Sequence, residues 1–330
     1  MTANKLKCSV VIPVYNKKNY LSKTLESIFA QDFEDDFEIV IVDDGSTDSG
    51  CDGIESLDRR IRLIKQENKG AAVARHVGVK EARGQIVVFQ DADDIASEVK
   101  LSALVNGLSS CKKCVCAFAL TKTDKEKEAL NEKTLSYTDY ADKFIFDDPL
   151  SFMFKRLGPL ALSMNIAVWR EDAFWATENR QFYHAANDYD MQLRLALRGP
   201  FLFINKFTNE YIRNEFGITS TLGRSRQVAY AVISSVDAYR SSKNRSSFKQ
   251  ALKEGINKSI PECLVGLFLY KEYKLIMKVL YLSFPFINIY RLLKGIWWQV
   301  DSHTSKAGNK SFILKIIKYA LSKRKKVDLS

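Results

Sequence analysis

The sequence is poor in the residues and motifs that mark several large classes of protein. It has three histidines and six cysteines, and only Cys111 and Cys114 have the spacing of a zinc knuckle, with no second pair after them. This favours buried thiols and a reducing compartment over a zinc site. A Gly-x-Gly-x-x-Gly run after the first strand is missing, and so is a Gly-x-x-x-x-Gly-Lys-Ser/Thr run. Both absences argue against dinucleotide binding and P-loop chemistry.

Long apolar runs without charge are also missing. Residues 1–7 contain no apolar signal core, so we expect no secretion. Residues 264–300 are rich in apolar and aromatic side chains, but lysines, a glutamate and an arginine interrupt them. Since a spanning helix needs about 20 apolar residues, we expect no transmembrane segment.

The positive charge is concentrated at one end of the chain. Residues 241–330 hold 18 Lys or Arg against 5 Asp or Glu, whereas residues 1–240 hold 32 against 34. The basic residues alternate with apolar runs, which favours an anionic membrane surface over nucleic acid as partner. A solvated basic tail is the alternative.

The C-terminal region has the pattern of amphipathic helices. Lys271, Lys274 and Lys278 form one polar stripe on an otherwise apolar segment, and residues 312–326 repeat the pattern. Trp297 and Trp298 would anchor such helices at a membrane interface. Packing on the rest of the chain, or a homodimer, would also cover an apolar face.

The first hundred residues alternate between strand and helix patterns. Apolar, β-branched runs predict strands over residues 8–14, 37–42, 61–65 and 85–90, with helices over residues 21–29 and 71–82. This order predicts an α/β fold with a doubly wound, mostly parallel sheet flanked by helices.

Polar side chains follow three of these strands. Tyr15 and Asn16 follow the first, Asp44 ends the second, and Asp91 and Asp93 follow the fourth. In doubly wound sheets ligands bind next to the carboxyl ends of the strands, where these side chains lie. Paired carboxylates suit Mg²⁺ or Mn²⁺ with substrate phosphates. Tyr15 could stack on a base and Asp44 could bind its edge. Alone, each acidic motif would also serve as a turn or a helix cap.

Five motifs in order resemble the inverting family 2 glycosyltransferases of the GT-A fold. They are Val11–Asn16 (VIPVYN), Val42–Ser46 (VDDGS), Asn68–Gly70 (NKG), Ala74–Gly78 (ARHVG) and Asp91–Asp94 (DADD), and the resemblance covers roughly residues 6–220. It implies donor contacts at Pro13, Val14, Tyr15, Asp44, Asp91 and Ala92. It also implies a metal held by Asp93 together with Asp91. His76 departs from the family pattern, which usually has Asn.

A second acidic segment lies far downstream, in an apparent helix. Asp188 matches the catalytic Asp of the family's Glu-Asp motif, while Asn187 replaces the Glu. A carboxylate is the base that an attacking acceptor hydroxyl requires. Asp190 is the alternative base, and a helix cap is the alternative role of Asp188. Lys69, Arg75 and Arg213 would assist the donor diphosphate.

Together these features predict an enzyme that moves a hexosyl or N-acetylhexosaminyl group from a nucleotide-diphosphate sugar, with a UDP-sugar favoured. The acceptor would be a saccharide or lipid-linked saccharide in the synthesis of a bacterial surface polysaccharide. Residues 1–225 would be catalytic and residues 226–330 a basic helical region. We expect a cytoplasmic protein, peripheral on the inner membrane, without nucleic acid. A nucleotidyltransferase and a non-catalytic nucleotide-sugar binding protein are the alternatives.

Overall fold

The chain folds as two units. The computed structural model describes residues 6–123, 142–159, 164–178, 186–212, 221–243, 245–288 and 290–296. Unit 1 consists of residues 1–153 and 158–217, and unit 2 consists of residues 154–157 and 218–330.

Unit 1 contains one mixed sheet of nine strands among the described residues. The strand order is β3-β2-β1-β4-β8-β6-β9-β5, and β7 pairs with β9. The strands are β1 (Cys8–Val14), β2 (Phe37–Asp43), β3 (Ile61–Lys65), β4 (Ile86–Phe89), β5 (Ile95–Ala96), β6 (Cys116–Lys122), β7 (Lys143–Phe146), β8 (Ile166–Trp169) and β9 (Phe201–Glu210).

The first four strands along the chain pair in parallel, and so do β6 and β9. β1 pairs in parallel with both β2 and β4, and β2 pairs in parallel with β3. Every residue of β2 is buried, as expected for a strand covered on both faces. β8 is antiparallel to β4 and β6, and β5 and β7 are antiparallel to β9. The α/β sheet is confirmed, with this antiparallel content in its second half.

Helices flank the sheet of unit 1. They are α1 (Lys18–Phe29), α2 (Ala71–Glu81), α3 (Lys100–Ser110), α4 (Pro149–Arg156, which spans the boundary with unit 2), α5 (Arg170–Thr177) and α6 (Asn187–Ala196). Gly78 lets α2 approach β1, because a Cβ there would lie 2.4 Å from Val11 Cγ1. This explains why the Ala74–Gly78 motif ends in glycine.

The expectation of free thiols at Cys111 and Cys114 is wrong in this structure. The two residues form a disulfide just after α3, with a Cα–Cα distance of 5.4 Å. The Cys114 amide donates to the Cys111 carbonyl, so this turn brings the side chains together. Cys8, Cys51, Cys116 and Cys263 are free and buried.

Unit 2 is helical. Its helices are α7 (Thr221–Ser241), α8 (Arg245–Leu269) and α9 (Tyr273–Ser283), and a 3₁₀ turn follows at Phe284–Phe286. Across the residues that the structure describes, we find no helix with the length and apolar character needed to cross a membrane. Trp297, Trp298 and residues 312–326 lie outside the described residues.

Candidate active site

The polar strand ends meet at one edge of the sheet of unit 1. The Asp44 amide donates to the Val14 carbonyl over 2.8 Å, and the Gln90 amide donates to the Val11 carbonyl over 3.1 Å. Asn16 joins two of the loops, because its side-chain oxygen accepts the Thr47 amide at 2.8 Å. Parallel pairing of β1 with β2 and β4 therefore brings these loops together.

Asp44 organises the loop that leads into α2. Its carboxylate accepts the Lys69 amide at 2.9 Å, the Gly70 amide at 2.8 Å and the Gln66 side-chain amide at 2.6 Å. The residue is 2% exposed. Gly70 has φ +88°, a conformation that glycine adopts without strain. Most of the acceptor capacity of Asp44 is thus used within the protein.

Arg75 connects the end of β4 to the start of α6. Its Nη2 lies 2.7 Å from Asp91 Oδ1, and its Nη1 donates to Asn187 Oδ1 over 2.9 Å. Arg75 is buried, and its Nε has no hydrogen-bond partner among the described residues. Sequence reasoning put Asp91 and Asn187 on separate motifs, and the structure joins them through one guanidinium group.

Asp188 lies in the first turn of α6, next to Asn187. Burial raises the pKa of its carboxyl above the ordinary value, while the nearby Arg75 opposes this shift and Asp91 adds to it. One oxygen accepts the Tyr189 amide at 2.8 Å. Asp188 therefore belongs to the same charged cluster as Arg75 and Asp91. Asp190, two residues further along α6, is buried.

Asp93 forms an ion pair with a lysine side chain of the protein. Lys17 Nζ lies 2.5 Å from Asp93 Oδ2, and both side chains are partly exposed. Within the described ranges, no group of three or more His, Cys, Asp or Glu side chains is placed to hold a metal ion. Asp91 and Asp93 thus each contact a basic side chain, Arg75 and Lys17 respectively.

A buried polar network lies beneath the Asp91–Asp94 turn. Lys100 is fully buried and donates to Gln90 Oε1 at 2.6 Å and to Asn209 Oδ1 at 3.3 Å. Asn209 in turn donates to Asp94 Oδ2 at 2.9 Å. Burial raises the pKa of Asp94 to about 7 and lowers that of Lys100 to about 8. The network fixes the turn that carries Asp91 and Asp93.

The remaining predicted contacts differ in accessibility. Tyr15 is 47% exposed, and Lys69 is exposed at the loop that Asp44 holds. Pro13 is half-buried, whereas Val14 and Ala92 are buried. Arg213 lies outside the described residues.

Sequence reasoning missed several members of this cluster. Lys17, Gln90, Lys100 and Asn209 received no role. One signal was available for Lys100, because it is spaced at i, i+4 and i+8 with the buried Leu104 and Leu108 of α3. A lysine on the core face of an apolar helix indicates an internal partner, since buried charges are paired or hydrogen-bonded.

The family comparison matches the N-terminal part of the chain. Residues 9–158 match the family model described as Glycosyl transferase family 2. The glycosyltransferase GlyG of Streptococcus pneumoniae is 42% identical over 100 residues, which cover 29% of this chain and 33% of GlyG. GlyA of the same organism is 45% identical over 91 residues, which cover 27% of this chain and 13% of GlyA. The match thus spans a third or less of each of these relatives.

Solved structures share the fold over more of the chain. The S. aureus TarS 1–349 structure in complex with UDP-GlcNAc aligns with a TM-score of 0.59 and 18% identity, covering 79% of this chain and 80% of that one. The mannosyltransferase PcManGT from Pyrobaculum calidifontis, in complex with GDP-Man and Mn²⁺, aligns with a TM-score of 0.56 and 16% identity. That alignment covers 91% of this chain and 88% of the other. At such identities the likeness concerns the fold alone, and it confirms the predicted GT-A type.

Proposed function

We propose that this chain, whose residues 9–158 match the model of glycosyl transferase family 2, transfers a sugar from a nucleotide-diphosphate donor to an acceptor hydroxyl with inversion. The observation that carries the proposal is the bridge formed by Arg75 between Asp91 and Asn187. This bridge holds the Asp91–Asp94 turn, which is expected to bind the donor, next to the helix α6, which carries Asp188. Donor binding and proton removal would then occur at one place.

Asp188 is the proposed general base. An acceptor hydroxyl must lose its proton as its oxygen attacks the anomeric carbon, and a carboxylate within hydrogen-bond reach can take that proton. The burial that raises the pKa of Asp188 makes its carboxylate a stronger proton acceptor than an exposed aspartate. Attack by the hydroxyl on the face opposite the leaving diphosphate inverts the anomeric configuration. Asp190 is the second candidate for the base.

Mn²⁺ or Mg²⁺ is the proposed cofactor, with Asp93 and Asp91 as its protein ligands. The residues fit such an ion, because carboxylate oxygens are the ligands it prefers and Asp93 already contacts the ammonium of Lys17. With two carboxylates, the coordination would be completed by phosphate oxygens of the donor. The bound ion would neutralise negative charge on the departing diphosphate. PcManGT was solved with Mn²⁺, which supports this choice.

A UDP-sugar is the favoured donor. TarS was solved with UDP-GlcNAc and PcManGT with GDP-Man, so related folds accept nucleotide sugars of this class. The exposed ring of Tyr15 would stack on the base, and Pro13, Val14 and Ala92 would lie beside the nucleotide. Asp44 would act mainly by shaping the loop of Lys69, whose ammonium would approach the diphosphate. Arg213 is proposed as a further phosphate partner.

The acceptor is proposed to be a saccharide or a lipid-linked saccharide of a bacterial surface polysaccharide. Residues 1–225 would carry out catalysis, and the basic residues 226–330 would hold the enzyme on the cytoplasmic face of the inner membrane. The surplus of Lys and Arg over residues 241–330 supports attraction to anionic lipid. Nucleic acid is not among the proposed partners, and self-association of unit 2 into a homodimer is the competing arrangement.

Donor turnover tests the proposal. Purified protein with Mn²⁺ is offered UDP-, GDP- and dTDP-sugars, and release of nucleoside diphosphate is recorded. We expect slow, metal-dependent release from one donor, reduced by about a hundredfold or more in Asp188→Asn and Asp93→Asn. Asp52→Asn is the control, because the Asp52 carboxylate is exposed on another loop. Asp188→Asn should remain folded, since burial disfavours the ionised form of this carboxyl.

Three other results would change the assignment. Loss of turnover in Asp190→Asn, with Asp188→Asn active, would move the base to Asp190. Release of pyrophosphate in place of a nucleoside diphosphate would indicate a nucleotidyltransferase. If the protein neither bound nor turned over any donor, the proposed enzyme activity would be contradicted. If it bound a donor without turnover, and Asp188→Asn bound it equally well, the result would indicate a nucleotide-sugar binding protein.

A further inference from the structure

The helix α9 of unit 2 exposes a row of large apolar side chains. Tyr273, Met277 and Tyr281 follow one another at four-residue spacing, with exposed fractions of 54%, 66% and 79%. Phe284, in the 3₁₀ turn that follows, is 71% exposed. A helix on the surface of a soluble unit normally presents polar residues to water. This row therefore points to a partner with an apolar component.

Two lysines border the row. Lys274 and Lys278 are exposed, and each follows a member of the row by one position. At 3.6 residues per turn this places both lysines along the same side of the row. Val279 and Ser283 are buried on the opposite side. We call Tyr273, Lys274, Met277, Lys278, Tyr281 and Phe284 the α9 surface.

The same chemistry continues along the chain. Tyr290, Arg291 and Lys294 are exposed in the helical stretch over residues 290–296. From residue 273 to residue 296 the sequence holds four basic residues and no acidic one. The partner must therefore combine an apolar layer with negative charge.

We propose that the α9 surface docks on an anionic lipid bilayer. Aromatic rings and Met277 would enter the boundary between headgroups and acyl chains, and the lysines would contact lipid phosphates. Interfacial helices have this combination of an apolar face and flanking Lys or Arg, and tyrosine favours the headgroup level. The inference rests on the peripheral membrane setting of the proposed function and assigns a surface to it.

Charge argues for lipid over a second copy of the chain. A twofold interface places the same patch on both sides, so the four basic residues of 273–296 would face their own copies. Like charges brought together in this way cost binding energy. An anionic bilayer instead attracts each lysine near its surface.

Vesicle co-sedimentation of the full chain, without donor or acceptor, tests the inference. Vesicles of phosphatidylcholine mixed with phosphatidylglycerol are compared with vesicles of phosphatidylcholine alone. The apolar variant combines Tyr273→Ser, Met277→Ser and Tyr281→Ser, and the charge variant combines Lys274→Glu and Lys278→Glu. The control combines Lys23→Glu and Lys80→Glu, because these exposed lysines lie on the helices α1 and α2 of unit 1, outside residues 226–330.

We expect both α9 variants to weaken binding to the mixed vesicles by at least about tenfold, with the control within about twofold of the wild type. Equal thermal melting of all variants would show that they fold. Binding unchanged in both α9 variants would overturn the inference. A dimer in sedimentation velocity that becomes a monomer in the apolar variant would assign the surface to a second copy instead.

Donor turnover without vesicles separates this inference from the proposed function. Turnover should be the same in the wild type and in both α9 variants. If the wild type turned over no donor, the proposed activity would fail while the vesicle result still decided the role of the α9 surface.

Discussion

Arg75 has more influence on the site than the sequence motif around it suggests. Two of its nitrogens contact Asp91 and Asn187, and its charge lowers the pKa of Asp188 against the larger effect of burial. Arg75 was predicted to assist the donor diphosphate. The structure gives it a positioning contact as well, because it ties the β4 end to α6.

Replacing Arg75 by Gln should shift the pH dependence of turnover. The base must be ionised to act, so kcat/KM should fall on the acidic side as Asp188 becomes protonated. Since burial raises this pKa above the ordinary 3.8, the acidic limb should lie above that value in the wild type. Loss of the Arg75 charge should move the limb to still higher pH, which a kcat/KM profile against pH would measure.

Arg60→Gln provides the control for this experiment. Arg60 also pairs with an aspartate, Asp58, but it lies in the loop before β3 and contacts none of the site residues. Its profile should match that of the wild type. An acidic limb that stays in place in Arg75→Gln would contradict the coupling between Arg75 and Asp188.

At the scale of elements, the turn after β4 and the helix α3 form one polar assembly. Lys100 opens α3 and donates to Gln90 and Asn209, and Asn209 donates to Asp94. Thr24 of α1 adds a hydroxyl within 3.0 Å of the Ala92 carbonyl and 2.9 Å of the Asp94 carbonyl. The position of Asp91 and Asp93 therefore depends on side chains from β9, α1 and α3.

Lys100→Met should destabilise unit 1. The substitution keeps the length of the side chain but leaves the oxygens of Gln90 and Asn209 without their donor, at a cost of about 1–3 kcal/mol each. Urea unfolding should show a loss of about 2–4 kcal/mol in the free energy of unfolding. Lys113→Met, at an exposed lysine, should change it by less than about 0.5 kcal/mol. Equal stability of the two variants would contradict the network.

The pKa of Lys100 gives this prediction a pH dependence. Because burial lowers the pKa from 10.5 to about 8, the folded state releases the proton at a lower pH than the unfolded state. The contribution of Lys100 to stability therefore rises from about pH 8 to about pH 10.5. The difference between wild type and Lys100→Met should grow over this range.

At the scale of the whole molecule, charge and chemistry are divided along the chain. Residues 1–240 are nearly neutral, with 32 basic and 34 acidic residues, and hold the described site residues. Residues 241–330 have 18 basic residues against 5 acidic ones. The structure divides the chain between residues 217 and 218, apart from residues 154–157. The sequence-based division at 225/226 remains a prediction about function.

Salt should release the protein from anionic vesicles while leaving turnover in solution unchanged. The Debye length falls from about 10 Å at 0.1 M salt to about 3 Å at 1 M, which screens the basic residues from lipid phosphates. Co-sedimentation with mixed vesicles over this range should show a progressive loss of binding. Binding that does not respond to salt would show that charge contributes little.

The sequence predicted the parallel strands because their signals are local. Apolar, β-branched runs mark β1, β2 and β3, and the predicted bounds agree within a residue with Cys8–Val14, Phe37–Asp43 and Ile61–Lys65. The second half of the sheet was harder to predict from the sequence, because β8 and β9 each pair with strands far away in sequence. Residue spacing alone does not reveal such pairings.

The sequence by itself determined the class of the fold, the strand ends that carry Tyr15, Asp44, Asp91 and Asp93, and the placement of Asp188 at the start of a helix. Each follows from a short pattern whose meaning depends on its neighbours in the chain. Only the tertiary structure decided which groups contact one another: Arg75 with Asn187, Lys17 with Asp93, and Lys100 with Asn209, pairs separated by 112, 76 and 109 residues. Burial also fixed the pKa directions, because the loss of water around a carboxyl or an ammonium depends on packing in three dimensions.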